Sequence, residues 1–115
     1  MQYMLLIYED ESVYGDQPDS PAVTEIVQRH IAFGEDLGDT SKGGAGLHPT
    51  SSATTVVTRS GAQTIHDGPF AETREQLGGF YLIDAPDLDT AIAVAKKLPL
   101  YADGSVEIRP VLEME

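Results

Sequence analysis

The chain has 115 residues, with 7 Lys+Arg against 19 Asp+Glu for a formal charge of −12. That length suits one domain, and a 41% hydrophobic content with five Tyr and three Phe argues against a disordered chain. The acidity sets the chain against nucleic acid and anionic lipid, and the absence of Cys excludes disulfides, thiolate nucleophiles, Fe–S clusters and cysteine-bound zinc.

Residues 3–8, Tyr-Met-Leu-Leu-Ile-Tyr, form a near-continuous apolar run that predicts a strand buried on both faces. Residues 9–19 hold five acidic residues with a Gly and a Pro and read as a loop. Ser20-Pro21 is a helix start, with Ser as N-cap and Pro at the first helical position. Val23, Ile26, Val27, His30, Phe33 and Leu37 then recur at helical spacing, and Gly38 ends the helix. The polar, glycine-rich stretch from Asp39 to Ser52 reads as a loop.

Thr54 to Arg59 and Gln63 to Asp67 flank Ser60-Gly61 and predict a β-hairpin. Asp67-Gly68-Pro69 is a second turn, and Leu77 to Ala85 is a strand apolar on both faces. Pro86 to Asp89 opens a second helix that carries Leu88, Ala91, Ile92, Ala95 and Leu98 at helical period and stops at Pro99. Asp87 and Asp89 near its start and Lys96 and Lys97 near its end complement the helix dipole. Ser105 to Leu112 is the last strand, with Pro110 fitting a strand end or an edge.

This order predicts an α+β fold, the ferredoxin-like split βαβ arrangement β-α-β-β-α-β with an extra hairpin. Two helices cover one face of such a sheet, while the strands at 3–8 and 77–85 are apolar on both. A second copy of the chain is the expected cover, giving a homodimer with sheets packed face to face. No apolar run reaches the roughly 18 residues that a membrane span needs. Met1 to Asp10 shows no signal-peptide pattern, so a cytoplasmic location and no membrane partner are expected.

The segment Asp67-Gly68-Pro69-Phe70-Ala71-Glu72-Thr73-Arg74-Glu75-Gln76-Leu77-Gly78-Gly79-Phe80 resembles the DGPF branch of the YCII-related proteins. Tyr3 to Tyr8, Gly46-Leu47-His48-Pro49 and Gly104 to Val111 extend the resemblance over essentially the whole chain, as a single domain at 1–115. The resemblance implies a dimeric α/β barrel of ferredoxin-like protomers and a pocket between the sheet and the first helix. It implies no particular reaction. Some members resemble companions of extracytoplasmic-function (ECF) sigma factors by gene neighbourhood. The wider YCII group is associated with a His–Asp pair, the His in the first helix and the Asp in an Asp-Pro pair after the second helix. Arg29-His30 matches the first part approximately. Leu98-Pro99 stands where Asp-Pro would be, which leaves Asp67 as the nearest carboxylate to propose for His30.

His30, on the apolar stripe of the first helix, is the candidate general acid/base; the plainer alternative is a core histidine satisfied by its surroundings. Asp67 is the candidate orienting carboxylate or ligand contact, against the ordinary role of an Asp capping its own turn. A short helical turn after Pro69 would place Glu72 and Gln76 together as binding residues; with Glu75 they equally suit a solvated surface. Arg109, if it points into the space between the two sheets of a dimer, is a candidate anion anchor or partner of Asp67 or Glu72, against the plainer role of a dimer-interface ion pair. Tyr8 and Tyr81 are candidates to line the same cavity, or to fill the core.

His48 reads as solvated. His66 and Asp67, being neighbours on a strand, cannot readily share a metal, and no metal-ligand spacing exists. No metal and no cofactor are therefore expected. Ser41 to Gly46 lacks the order of a phosphate-binding loop, and no nucleophile elbow occurs. Two functional readings stand side by side. One is a binder or enzyme for a small polar molecule near the dimer interface. The other is a non-enzymatic dimer accessory to an ECF sigma factor.

Overall fold

A computed structural model describes residues 1–113. Strand β1 (Gln2–Glu9) is followed by a single 3-10 turn (Glu11–Tyr14) and helix α1 (Pro21–Leu37). The Ser20 hydroxyl accepts from the Val23 amide at 3.3 Å and donates to the Tyr14 carbonyl at 2.7 Å. One side chain thus caps α1 and ties it to the preceding turn. Gly38 ends the helix at φ 53°, a left-handed conformation that costs glycine little.

Next comes β2 (Ser41–Gly46), within the stretch expected to be a loop. Its sequence, Ser-Lys-Gly-Gly-Ala-Gly, carries almost no side chain, so no hydrophobic period marks it. It is a strand because its backbone pairs with β5 (Gln76–Asp84), where Gly44 faces Tyr81 and Gly46 faces Gly79. Strand β3 (Thr54–Arg59) and β4 (Ala62–Asp67) form the expected hairpin. Ser60 and Gly61 sit at φ 51° and 79°, as a two-residue turn matched to strand twist requires. No helical turn follows Pro69: residues 71–75 are bends and irregular chain that lead into β5 at Gln76.

Helix α2 (Leu88–Lys97) is capped by Asp87, whose carboxylate accepts from the Thr90 amide at 2.8 Å and the Thr90 hydroxyl at 2.7 Å. Those bonds hold the Asp87 carboxyl below its usual value. Strand β6 (Gly104–Pro110) closes the sheet at an edge, with Pro110 as its last residue.

The main sheet is antiparallel in the order β2-β5-β1-β6, and β3-β4 is a separate two-stranded sheet. The fold is α+β and ferredoxin-like, with the hairpin inserted between β2 and β5. No helix among the described residues is long and apolar enough to cross a membrane.

Alternation along β1 sorts the molecule into two sides. Tyr3, Leu5, Ile7 and Glu9 are buried beneath the helices, and Met4, Leu6 and Tyr8 turn to the other face. Leu5 and Ile83 are fully buried, and Phe33, Ala91 and Leu98 press on them from the helix layer. On the uncovered face Met4 pairs with Leu82 and Leu6 with Phe80, all half-buried.

The hairpin stands clear of this core. Val56 and Ile65, directly paired, are 59% and 72% exposed, and Phe70 beyond it is 74% exposed. The radius of gyration, 15.8 Å, exceeds the roughly 13 Å of a compact domain this long, as such an arm requires. Leu5→Ala is expected to lower unfolding free energy by about 2–5 kcal/mol in denaturant melts, because it leaves a cavity at a fully buried position of the core between sheet and helices.

Candidate functional site

His30 lies on the sheet-facing side of α1, between Ile26 and Phe33, which are buried. Beneath it is Tyr81, the β5 residue paired with Leu5 and therefore on the helix side. The His30 Nδ1 and the Tyr81 hydroxyl are 2.7 Å apart. The two rings stack, with centroids 5.7 Å apart and planes at 23°, and Phe33 meets Tyr81 edge-on at 5.2 Å.

Gly44 makes this packing feasible. A Cβ there would stand 2.6 Å from the Phe80 carbonyl oxygen and 3.2 Å from the Tyr81 ring. The bare strand lets Tyr81 lie against the β2 backbone beneath α1.

Glu9 is the buried carboxylate of this layer, 7% exposed. Its Oε1 accepts from the Tyr14 hydroxyl at 2.7 Å. Its Oε2 accepts from the backbone amides of Tyr101 at 2.9 Å and Ala102 at 3.5 Å. The carboxylate thereby joins the end of β1, the turn before α1 and the segment after α2. Burial, reinforced by the Glu9 hydrogen bond, pushes the Tyr14 phenol well above its usual value. Burial likewise raises Tyr81. His30 is lowered from the usual 6.5, with burial outweighing the opposing pull of the Glu9 charge. The imidazole is thus neutral at pH 7, and its phenol partner is protonated.

The structure brings together only some of the residues singled out in the sequence. His30 and Tyr81 meet. Tyr8 does not join them, because it occupies the opposite face of the sheet, three alternations from Leu5. Arg109 also lies on that uncovered face, opposite Met4. Its Nε is 3.8 Å from the Glu107 carboxylate of the same strand, and both side chains are at least half exposed. Such a pair contributes on the order of 0–1 kcal/mol.

Asp67 ends β4 in the hairpin, exposed, with no side-chain hydrogen bond among the described residues. The Asp67-Gly68-Pro69 turn is held without its carboxylate: Gly68 donates to the Ala53 carbonyl at 2.7 Å, and the Thr55 hydroxyl donates to Gly68 at 2.7 Å. The charge that bears on His30 is that of Glu9. Glu72 is exposed in irregular chain. Gln76 is a strut: its Oε1 accepts from the Glu11 amide at 2.9 Å, and its Nε2 donates to the Thr73 carbonyl. The Glu11 carboxylate in turn accepts from the amide and hydroxyl of Thr50.

His48 is exposed, and His66 lies 3.4 Å from the Pro69 carbonyl. No group of three His, Asp or Glu converges as metal ligands among the described residues. An open depression of about 390 Å³ lies where β1 begins and β5 ends, between Met1, Gln2, Asp84 and Val111. The N-terminal amine stands 3.2 Å from the Asp84 carboxylate at its edge.

Sequence reasoning passed over Glu9 by assigning it to the loop after the first strand. The alternation Tyr3, Leu5, Ile7 carried one step further would have placed it on the helix side.

The lowered His30 value makes a prediction about stability. Below about pH 6.5 the unfolded chain takes up a proton that the folded chain refuses, so stability falls as pH drops through that range. Thermal melts between pH 7.5 and 5.5 are expected to show a loss that His30→Gln makes smaller.

A family profile of the YCII-related domain matches residues 1–115. An uncharacterized protein of Rhizobium meliloti (strain 1021) is 39% identical over 118 residues, covering 96% of this chain and 92% of the relative. The described fold is the one expected of that family, and the chain belongs to it, the YCII-related domain proteins.

Proposed function

We propose that this protein binds a small polar molecule on the helix side of its sheet and transfers a proton to or from it. The observation that carries this reading is the 2.7 Å contact between His30 Nδ1 and the Tyr81 hydroxyl in a half-buried setting. In the productive tautomer Nδ1–H donates to the phenol oxygen. The phenol then donates its own proton to the ligand, and the unprotonated Nε2 is the base. Nε2 has no hydrogen-bond partner among the described residues, and no buried polar side-chain atom there lacks one, so this nitrogen meets solvent. Burial keeps the imidazole neutral and ready to accept a proton near neutral pH. Glu9 supplies the negative charge that stabilises the imidazolium once it forms.

Nitrogen-detected NMR titration tests this. His30 is expected to titrate below 6.5, with the proton of its neutral form on Nδ1. A midpoint at or above 6.5, or a proton fixed on Nε2, overturns the reading.

The uncovered sheet face supports assembly as a homodimer. Met4, Leu6, Phe80 and Leu82 form a continuous apolar strip across β1 and β5, and covering it removes that area from water. The bare hairpin residues Val56, Ile65 and Phe70 favour a second reading, an accessory protein that acts by contact with an ECF sigma factor. Light scattering of the protein alone and mixed with such a factor separates the two. A dimer mass for the protein alone supports the homodimer and a monomer at micromolar concentration excludes it, while a complex with the factor supports the second reading and a mass unchanged by mixing excludes it.

A further inference from the structure

The hairpin of β3 and β4 carries an inference that rests on the homodimer proposed above. Val56 pairs with Ile65 and Thr54 with Asp67, so these four side chains share one face of the hairpin. All four are exposed. A two-stranded hairpin is marginally stable by itself in water, and an apolar pair left in solvent does nothing to secure it. Phe70, just past the hairpin, adds to the bare apolar surface.

The arm does not cover its own molecule. The structure is 20 Å thick and 44 by 41 Å across. That thickness is about the depth of one sheet and one helix layer. The hairpin therefore reaches out sideways and adds no third layer over the uncovered sheet face. On that face Arg109, Met4 and Leu82 form one row across β6, β1 and β5. The apolar strip thus ends at a guanidinium, 70% exposed, whose one ion-pair contact among the described residues is the loose 3.8 Å to Glu107. The arm's apolar face ends at the Asp67 carboxylate, which forms no ion pair among the described residues.

We propose that the hairpin is a clasp between two copies of this chain. Each arm lays its Val56–Ile65 face on the uncovered sheet of the other copy, and Asp67 pairs with Arg109 of the partner subunit. The two surfaces match in kind: an apolar pair ending in an anion meets an apolar row ending in a cation. Charge also selects a second copy as the occupant. Residues 54–67 carry Arg59 and Asp67 and are neutral overall, within a chain of −12. The arm approaches another such chain without the repulsion that most of the surface carries. Area points the same way. The four half-buried side chains of the strip offer well under the roughly 800 Å² per copy that a standard interface buries, and two arms reduce that shortfall.

Sedimentation equilibrium and light scattering of the full chain test the clasp. The parent is expected to be a dimer at micromolar concentration. Val56→Thr combined with Ile65→Thr keeps the β-branched shape that a strand favours and removes the apolar face; it is expected to weaken the dimer about tenfold or more. Asp67→Arg and Arg109→Asp, each alone, bring like charges together across the interface and are expected to weaken it about tenfold. Mixed in equal amounts, these two single variants are expected to associate as a heterodimer nearly as tight as the parent, because both unlike pairs form again between the chains. A pairing within one chain gives no such rescue.

A parent that stays monomeric overturns the homodimer itself. A parent dimer that the threonine variant leaves equally tight overturns the clasp alone, and assigns the arm to a different protein. Single charge variants that fail to rescue each other overturn the Asp67–Arg109 pairing.

Discussion

A four-stranded sheet backed by two helices has one dry face, and β1 decides which side chains enjoy it. Its alternation sends Tyr3, Leu5, Ile7 and Glu9 under the helices and Met4, Leu6 and Tyr8 outward. Three of the four inward residues are hydrophobic and supply the core. The fourth is a carboxylate, and its desolvation is offset only because one phenol and two backbone amides point at it. Removing those donors would leave a bare charge in the core. The segments that carry them, the turn before α1 and the chain after α2, are therefore fixed in place by the last residue of the first strand. The position of α1, and with it of His30, follows from that arrangement.

The elements that announce themselves in the sequence are those whose side chains do the packing. Both helices, β1, β5 and β6 have apolar periods and capping residues, and Ser60-Gly61 has the backbone freedom that a tight hairpin requires. Strand β2 is silent for the opposite reason. Three glycines and one alanine in six positions leave nothing for a periodicity to register, and only pairing with β5 makes it a strand. The same bareness shapes the packing: where Gly44 has no Cβ, the Tyr81 ring lies close to β2 and its hydroxyl stands 2.7 Å from His30 Nδ1.

The site was legible in part. His30 stood out as a histidine on an apolar stripe, and Tyr81 as one of two tyrosines on facing strands. The resemblance implies an Asp-Pro pair where this chain has Leu98-Pro99, and that points the search for a carboxylate to the rigid turn at Asp67. Chain separation cannot say which face a carboxylate shares with a helix, whereas strand alternation can, and Glu9 lies in phase with Leu5 and Ile7. Arg109 and Tyr8 are out of phase with the buried row and stand apart from His30, on the face that a second copy of the chain would meet.

A histidine in this layer could be mere filling, and the distribution of its partners argues otherwise. A core imidazole is stable when both ring nitrogens find protein partners, since an unsatisfied one costs about 1–3 kcal/mol. Here Nδ1 is engaged at 2.7 Å while Nε2 is left to solvent. The ring is desolvated enough to be held below its usual value, yet its second nitrogen is left to solvent. Burial on one side and access on the other are the two conditions that a proton-transferring histidine must satisfy together.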